Sequence, residues 1–212
     1  MDKYDPKKKV ALAVDEWGIW TDAEPGTNPA FLYQQNSMRD ALIAALSLNI
    51  FNKHCDRVRM ANLAQTVNVL QALILTDKEK MVLTPTYYVF DLYKYHQEAT
   101  MLPVNFYAPE YLVGDDSIPA INASASKDSN GVIHITLVNL DPKNKIPVNT
   151  SFNGATFKQA EGQVLTSTNF TDINTFDNPN KVKLATFTDF KKNGNDLSIN
   201  LSPMSVTLIT LK

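Results

Sequence analysis

The hydrophobic period of this chain changes near Leu102, and that change splits it into two kinds of layer. Upstream, Val10-Ala11-Leu12-Ala13-Val14 is continuously apolar, as a strand buried on both faces of a parallel sheet requires. Ser37 then opens a helix as N-cap, with Asp40 at the third helical position and Met38, Ala41, Leu42, Ala45, Leu46 and Ile50 as an apolar stripe. The segment Arg57 to Gln65 reads as a second strand, and Pro85 followed by Tyr87 to His96 as a second helix with Tyr88, Leu92 and Tyr95 along one side. Downstream, Ile133, Ile135 and Leu137 alternate with His134 and Thr136, and Leu197, Ile199 and Leu201 with Ser198 and Asn200. Turns at Asn130-Gly131, Asn153-Gly154 and Asn193-Gly194 separate these runs, the pattern of an antiparallel β-sandwich.

Two β/α units cannot close a barrel or pair both sheet edges, and open edges invite association. The order therefore predicts α/β followed by all-β. Residues 1–97 are expected to be the last quarter of a (β/α)₈ TIM barrel, carrying its seventh and eighth strands with their helices. Residues 98–212 are expected to form an antiparallel, jelly-roll-like sandwich. The remaining strands of the barrel would lie upstream.

Composition excludes several function classes. A formal net charge of -2 leaves no basic excess for phosphates, and Lys7-Lys8-Lys9 sits beside Asp2 and Asp5, so nucleic acid is not the expected partner. No apolar run approaches the roughly 20 residues of a membrane span, and the first residues lack the apolar core of a signal peptide, so no membrane partner is expected and the compartment stays open. Cys55 stands alone and only His54, His96 and His134 accompany it, too few ligands at useful spacing for a metal. His54 and His96 fall near helix ends, where a cation complements the dipole, and His134 falls at an outward strand position.

Position gives Glu16 its interest. It lies at the C-terminal end of the first strand, the edge at which barrel enzymes build their sites, and the segment around Gln65 reaches the same edge from the second strand. Asp15 alternates to the other face, so the adjacent acids are not a cooperating pair. Both tryptophans, Trp17 and Trp20, follow within four residues of Glu16, and indole faces pack against the apolar faces of sugars. On pattern alone a solvated or salt-bridged strand-end acid beside core tryptophans accounts for the run slightly better. Gln34, Gln35 and Asn62 read as structural hydrogen-bonding groups.

The run Val-Ala-Leu-Ala-Val-Asp-Glu-Trp-Gly-Ile-Trp ending at Trp20 resembles the nucleophile strand of the family 51 α-L-arabinofuranosidases. Further segments resemble the same family in order: Glu24 to Pro29, Leu32 to Asn36, Arg39 to Leu42, Asp56 to Val58, Met60 to Gln65, Thr84 to Tyr87, Asn178 to Val182 and Leu201 to Val206. The resemblance implies that Glu16 is the catalytic nucleophile of a retaining glycosidase, that Gln65 hydrogen-bonds the sugar, and that Trp20, with Trp17 beside it, helps wall the subsite. Where the family often continues Thr-Pro-Thr-Tyr-His, this chain has Tyr88. The family's acid/base glutamate, in an Asn-Glu pair of an earlier barrel strand, has no counterpart here.

The implied activity is release of non-reducing terminal α-L-arabinofuranosyl groups from arabinan or arabinoxylan, with no metal or organic cofactor. The implied partners are an arabinofuranosyl-containing saccharide, the upstream part of the same barrel and further copies in a homo-oligomer. Two other readings compete: a non-catalytic sugar-binding or interaction fragment, and a family member acting internally on β-glucan or xylan. The sandwich half contains no tryptophan, which favours packing against the barrel over carbohydrate binding.

Overall fold

A computed structural model describes all residues 1–212. In chain order it contains β1 (Leu12–Val14), α1 (Met38–Lys53), β2 (Val58–Ala61), β3 (Ile74–Asp77), β4 (Lys80–Leu83), α2 (Pro85–Tyr93), β5 (Thr100–Leu102), β6 (Glu110–Val113), β7 (Asp116–Pro119), β8 (Ile121–Lys127), β9 (Ile133–Asn139), β10 (Ile146–Thr150), β11 (Ala160–Thr166), β12 (Ala185–Thr186), β13 (Phe190–Asn193), β14 (Asp196–Leu201) and β15 (Ser205–Leu211). Strands dominate and the helices are few.

The β1 and β2 strands pair in parallel through the α1 crossover, with Val14 opposite Ala61. No third strand extends this pair. Its residues are accordingly open to solvent: Val10 and Leu12 are exposed, against the sequence expectation of a strand covered on both faces. The pair stands alone in its sheet, so the side chains of further strands that would cover its faces in a barrel are not among these residues. The α1 start is as expected, with the Asp40 carboxylate accepting from the Ser37 amide at 2.9 Å and from its hydroxyl at 2.8 Å. Pro85 opens α2, where its missing N–H costs nothing. Between β2 and α2 lies the β3–β4 hairpin, which the apolar pattern did not reveal because its turn residues are charged.

The sandwich consists of a six-stranded sheet, β12-β11-β15-β9-β8-β5, facing a three-stranded sheet, β10-β14-β13. Ile135, Leu137, Leu197, Ile199, Leu201 and Ile209 fill the space between them. The opposite face of the large sheet carries the two helices. Met38, Ala41, Ala45, Val89 and Leu92 meet Val138, Leu165, Val206 and Leu208 there. Each such buried large side chain contributes roughly 1.5–3 kcal/mol. Alternation on the large sheet thus serves two cores, one on each face.

That second core also corrects two histidine readings. His134 lies on the helix side of β9, 4% exposed, stacked on Tyr95 with centroids 4.9 Å apart and bonded to Thr210 at 3.3 Å. It is therefore covered, not outward. His96 follows α2 but faces the sheet, with its ring nitrogens 2.7 Å from Ser126 Oγ and 3.2 Å from Thr136 Oγ1. Burial, with a smaller contribution from His134, pushes its pKa down to about 4, so it is neutral and does not act as a helix-end cation. No helix is long and apolar enough to cross a membrane.

Candidate functional site

The register of the parallel pair sets the geometry of the candidate site. Asn62 N donates to Val14 O at 2.8 Å, so the residues after Val14 and after Ala61 leave the pair at the same edge. Glu16 lies two residues beyond Val14 and Gln65 four beyond Ala61, and both are exposed. Asp15 is exposed as well and is approached by Asn62 Nδ2 at 3.5 Å. The pair thus brings Glu16 and Gln65 to one edge, where solvent reaches both.

The two tryptophans part company. Trp20 is 66% exposed, whereas Trp17 is half-buried, edge-on to Phe51 at 5.4 Å and stacked with Phe90 at 6.1 Å. Its ring packs with the α1–α2 core, and its Nε1 is buried without a partner. Trp17 is a packing residue in this arrangement. Only Trp20 presents a free indole face.

Two buried glutamines hold the loop segment that carries Trp20. Gln34 Nε2 donates to Ile19 O at 3.0 Å while its Oε1 accepts from Thr21 N at 2.9 Å, clamping the backbone on both sides of Trp20. Gln71 Nε2 donates to the same Ile19 carbonyl and lies 3.5 Å from Asp40 Oδ1. Gly18, at φ +122, lets Gln71 come this close: a Cβ there would stand 2.9 Å from Gln71 Cγ. Gln34 matches its expected structural role. Gln71 was not anticipated, since no local pattern ties it to a loop some fifty residues away.

A loop of the sandwich reaches the same end of the molecule. Met38 N donates to Asp172 O at 3.0 Å and Arg39 N to Phe170 O at 2.8 Å, so the segment satisfies amides of the first turn of α1. Asn174 Nδ2 donates to Leu83 O at 2.9 Å and to Val182 O at 2.8 Å, joining the loop to the end of β4. Burial would raise the Asp172 carboxyl, but Lys181, Ser167, Asn169 and Thr168 hold it well below the usual carboxylate range. No group of three or more His, Cys, Asp or Glu side chains converges as a metal site.

The sequence pattern of the α-L-arabinofuranosidase C-terminal domain family matches residues 15–205. The chain belongs to this family. Among curated relatives, an intracellular exo-α-L-arabinofuranosidase of Bacteroides ovatus is 47% identical over 213 residues, covering 100% of this chain and 41% of that protein. The GH51 arabinofuranosidase structure of Xanthomonas axonopodis pv. citri superposes with a TM-score of 0.98 at 49% identity, over 100% of this chain and 43% of the other. The arabinose complex of the Thermotoga maritima α-L-arabinofuranosidase gives a TM-score of 0.84 at 25% identity, over 99% of this chain and 44% of the other. As a member of the arabinofuranosidase family, this chain spans about two fifths of the length of the relatives it matches.

Proposed function

We propose that the full-length protein is a retaining exo-α-L-arabinofuranosidase in which Glu16 is the nucleophile. The observation that carries this reading is the common edge of the parallel pair, where Glu16 and Gln65 meet solvent, with the exposed and clamped Trp20 four residues beyond Glu16. The names of the relatives support the substrate, a terminal arabinofuranosyl group on a saccharide. Residues 1–97 would be the closing quarter of a (β/α)₈ barrel, whose upstream strands would pair the open edges of β1 and β2, and residues 98–212 the sandwich. The family resemblance also implies assembly as a homo-oligomer.

In the first half-reaction a Glu16 carboxylate oxygen bonds to the anomeric carbon as the glycosidic bond breaks, and an acid from the upstream barrel protonates the departing oxygen. In the second, that residue, now a base, takes a proton from water. The water oxygen bonds to the anomeric carbon, releasing arabinose and restoring the Glu16 carboxylate. Retention needs the two carboxyl groups about 5 Å apart across the sugar. Gln65 would hydrogen-bond the arabinofuranose and Trp20 wall it, while Trp17 would act from behind by packing.

Glu16→Gln in the full-length protein is expected to abolish turnover of an aryl α-L-arabinofuranoside without shifting the unfolding midpoint. Activity at the wild-type level would sink the assignment. The 212-residue chain alone should show no significant activity on the same substrate, because it lacks the second carboxyl; robust turnover would instead mean that these residues carry both.

A further inference from the structure

Gln65 N donates to Val69 O at 3.4 Å, and Val69 lines a cavity of about 400 Å³ that the reaction described above does not use. Its walls come from three separate segments: Phe31 and Tyr33 from the loop after β1, Asn68 and Leu75 from the stretch that runs from the end of β2 into β3, and Phe176 from the sandwich loop. The volume is within the range of small-ligand sites, which run to roughly 300–1,000 Å³. Phe31 is 68% exposed and Phe176 36% exposed, so two aromatic faces stand open across one concavity.

The walls are fixed rather than fortuitously close. Leu70 N donates to Leu32 O at 3.1 Å and Glu24 N to Tyr33 O at 2.8 Å, tying the first two segments. Asn68 is bonded twice to Thr76, at 2.7 and 2.9 Å. The sandwich segment is held at Asp172 and Asn174 on either side of Ile173, three residues before Phe176. Tyr33 Oη has no hydrogen-bond partner in the protein, and burial raises its pKa, so it remains a neutral phenol able to donate or accept. Open aromatic faces beside an unused phenolic hydroxyl match the two sides of a sugar ring, one of C–H groups and one of hydroxyls.

We propose that this cavity is a leaving-group subsite, taking a sugar unit of the saccharide beyond the scissile bond, with Phe31 and Phe176 on its apolar face and Tyr33 Oη on a hydroxyl. The proposal rests on the hydrolase reading, which places the arabinofuranosyl group itself at Glu16. It gives the sandwich a direct part in substrate choice, through Phe176.

The test compares two substrates in the full-length protein: an arabino-oligosaccharide, which reaches the cavity, and an aryl arabinofuranoside, which has no second sugar. In the double variant Phe31→Ala/Phe176→Ala, the ratio of kcat/KM for the oligosaccharide to that for the aryl substrate is expected to fall about tenfold, through KM, for two lost aromatic contacts. Phe31→Trp, which keeps a platform, should retain most of the ratio, and circular dichroism checks that each variant is folded. An unchanged ratio, or an equal loss on both substrates, overturns the subsite. If the unsubstituted full-length protein fails on the aryl arabinofuranoside, the hydrolase reading falls first and the subsite with it.

Discussion

Replacing Asn49 by alanine should loosen α1 from the sandwich by about 2–3 kcal/mol. Asn49 is fully buried, and its Oδ1 is the shared acceptor for Tyr93 Oη at 2.8 Å, Ser124 Oγ at 2.7 Å and Thr136 Oγ1 at 3.0 Å. Without it, Tyr93 keeps the Ala45 carbonyl at 2.9 Å, Ser124 and Thr136 keep each other at 3.1 Å, and the remaining proton has only His96 Nε2 at 3.2 Å or Ser124 O at 3.5 Å from Thr136 Oγ1. About one buried hydroxyl is therefore left with only these longer bonds, costing roughly 1–2 kcal/mol, and the void left by the amide adds about 1 more. A small offset comes from removing Asn49 Nδ2, which is buried without a partner. Urea unfolding followed by circular dichroism should show the midpoint lowered by about 1 M with the slope unchanged, for a slope near 2 kcal/mol/M. A loss under about 0.5 kcal/mol in Asn49→Ala would refute the reasoning, because a lost shared acceptor and a void together cannot cost so little.

The neutral His96 makes stability pH-dependent: its pKa is lowered from 6.5 to about 4, so the unfolded chain takes up a proton that the folded one excludes. Stability should be flat above about pH 6.5 and fall by about 3 kcal/mol on descending to pH 4. His134, also lowered by burial, adds to the same slope. His96→Gln should flatten most of it in unfolding midpoints measured across that window; an unaltered slope would assign the effect elsewhere. Gly18→Ala forces φ +122 on a residue with a Cβ and presses it on Gln71, so a loss of about 1–3 kcal/mol together with reduced kcat/KM is expected. Wild-type values of both would show that the Ile19 clamp is unimportant. Trp17→Ala should cost about 2–3 kcal/mol of stability, while Trp20→Ala should stay within about 0.5 and weaken substrate binding instead. Equal effects of the two on stability would contradict their different packing.

Where a segment's environment is set by its own period, the sequence was readable. The α1 stripe from Met38 to Leu46, the Ser37–Asp40 start, the Pro85 start and the strands β9, β14 and β15 appear as expected, whereas Ile50, the last residue of that stripe, is exposed near the end of the helix. Alternation, however, states only that two faces differ. On β9 the face bearing His134 and Thr136 reads as polar and therefore outward, yet α1 and α2 cover it, and the polar groups are satisfied across that seam. Glu16 stands out by its strand-end position and its family resemblance, which make it the proposed nucleophile. Gln71 and the Phe31–Phe176 pair do not stand out, because each joins segments far apart in sequence, and no local pattern records such meetings.

The seam and the sandwich loop bear on one question, how a domain without tryptophan can influence a site on another layer. The loop satisfies first-turn amides of α1 through Asp172 and Phe170, so any displacement of it would free two buried donors. Asp40, in that same first turn, lies within reach of Gln71, which with Gln34 fixes the Ile19 carbonyl next to Trp20. A continuous set of bonds thus runs from the sandwich through the start of α1 to the wall of the proposed site. The hydrophobic second core keeps the two layers together, but it is indifferent to small slides. Directional bonds at the α1 start supply the register that apolar packing does not, and so the sandwich can hold Phe176 and Trp20 in fixed relation without itself contributing to the catalytic edge.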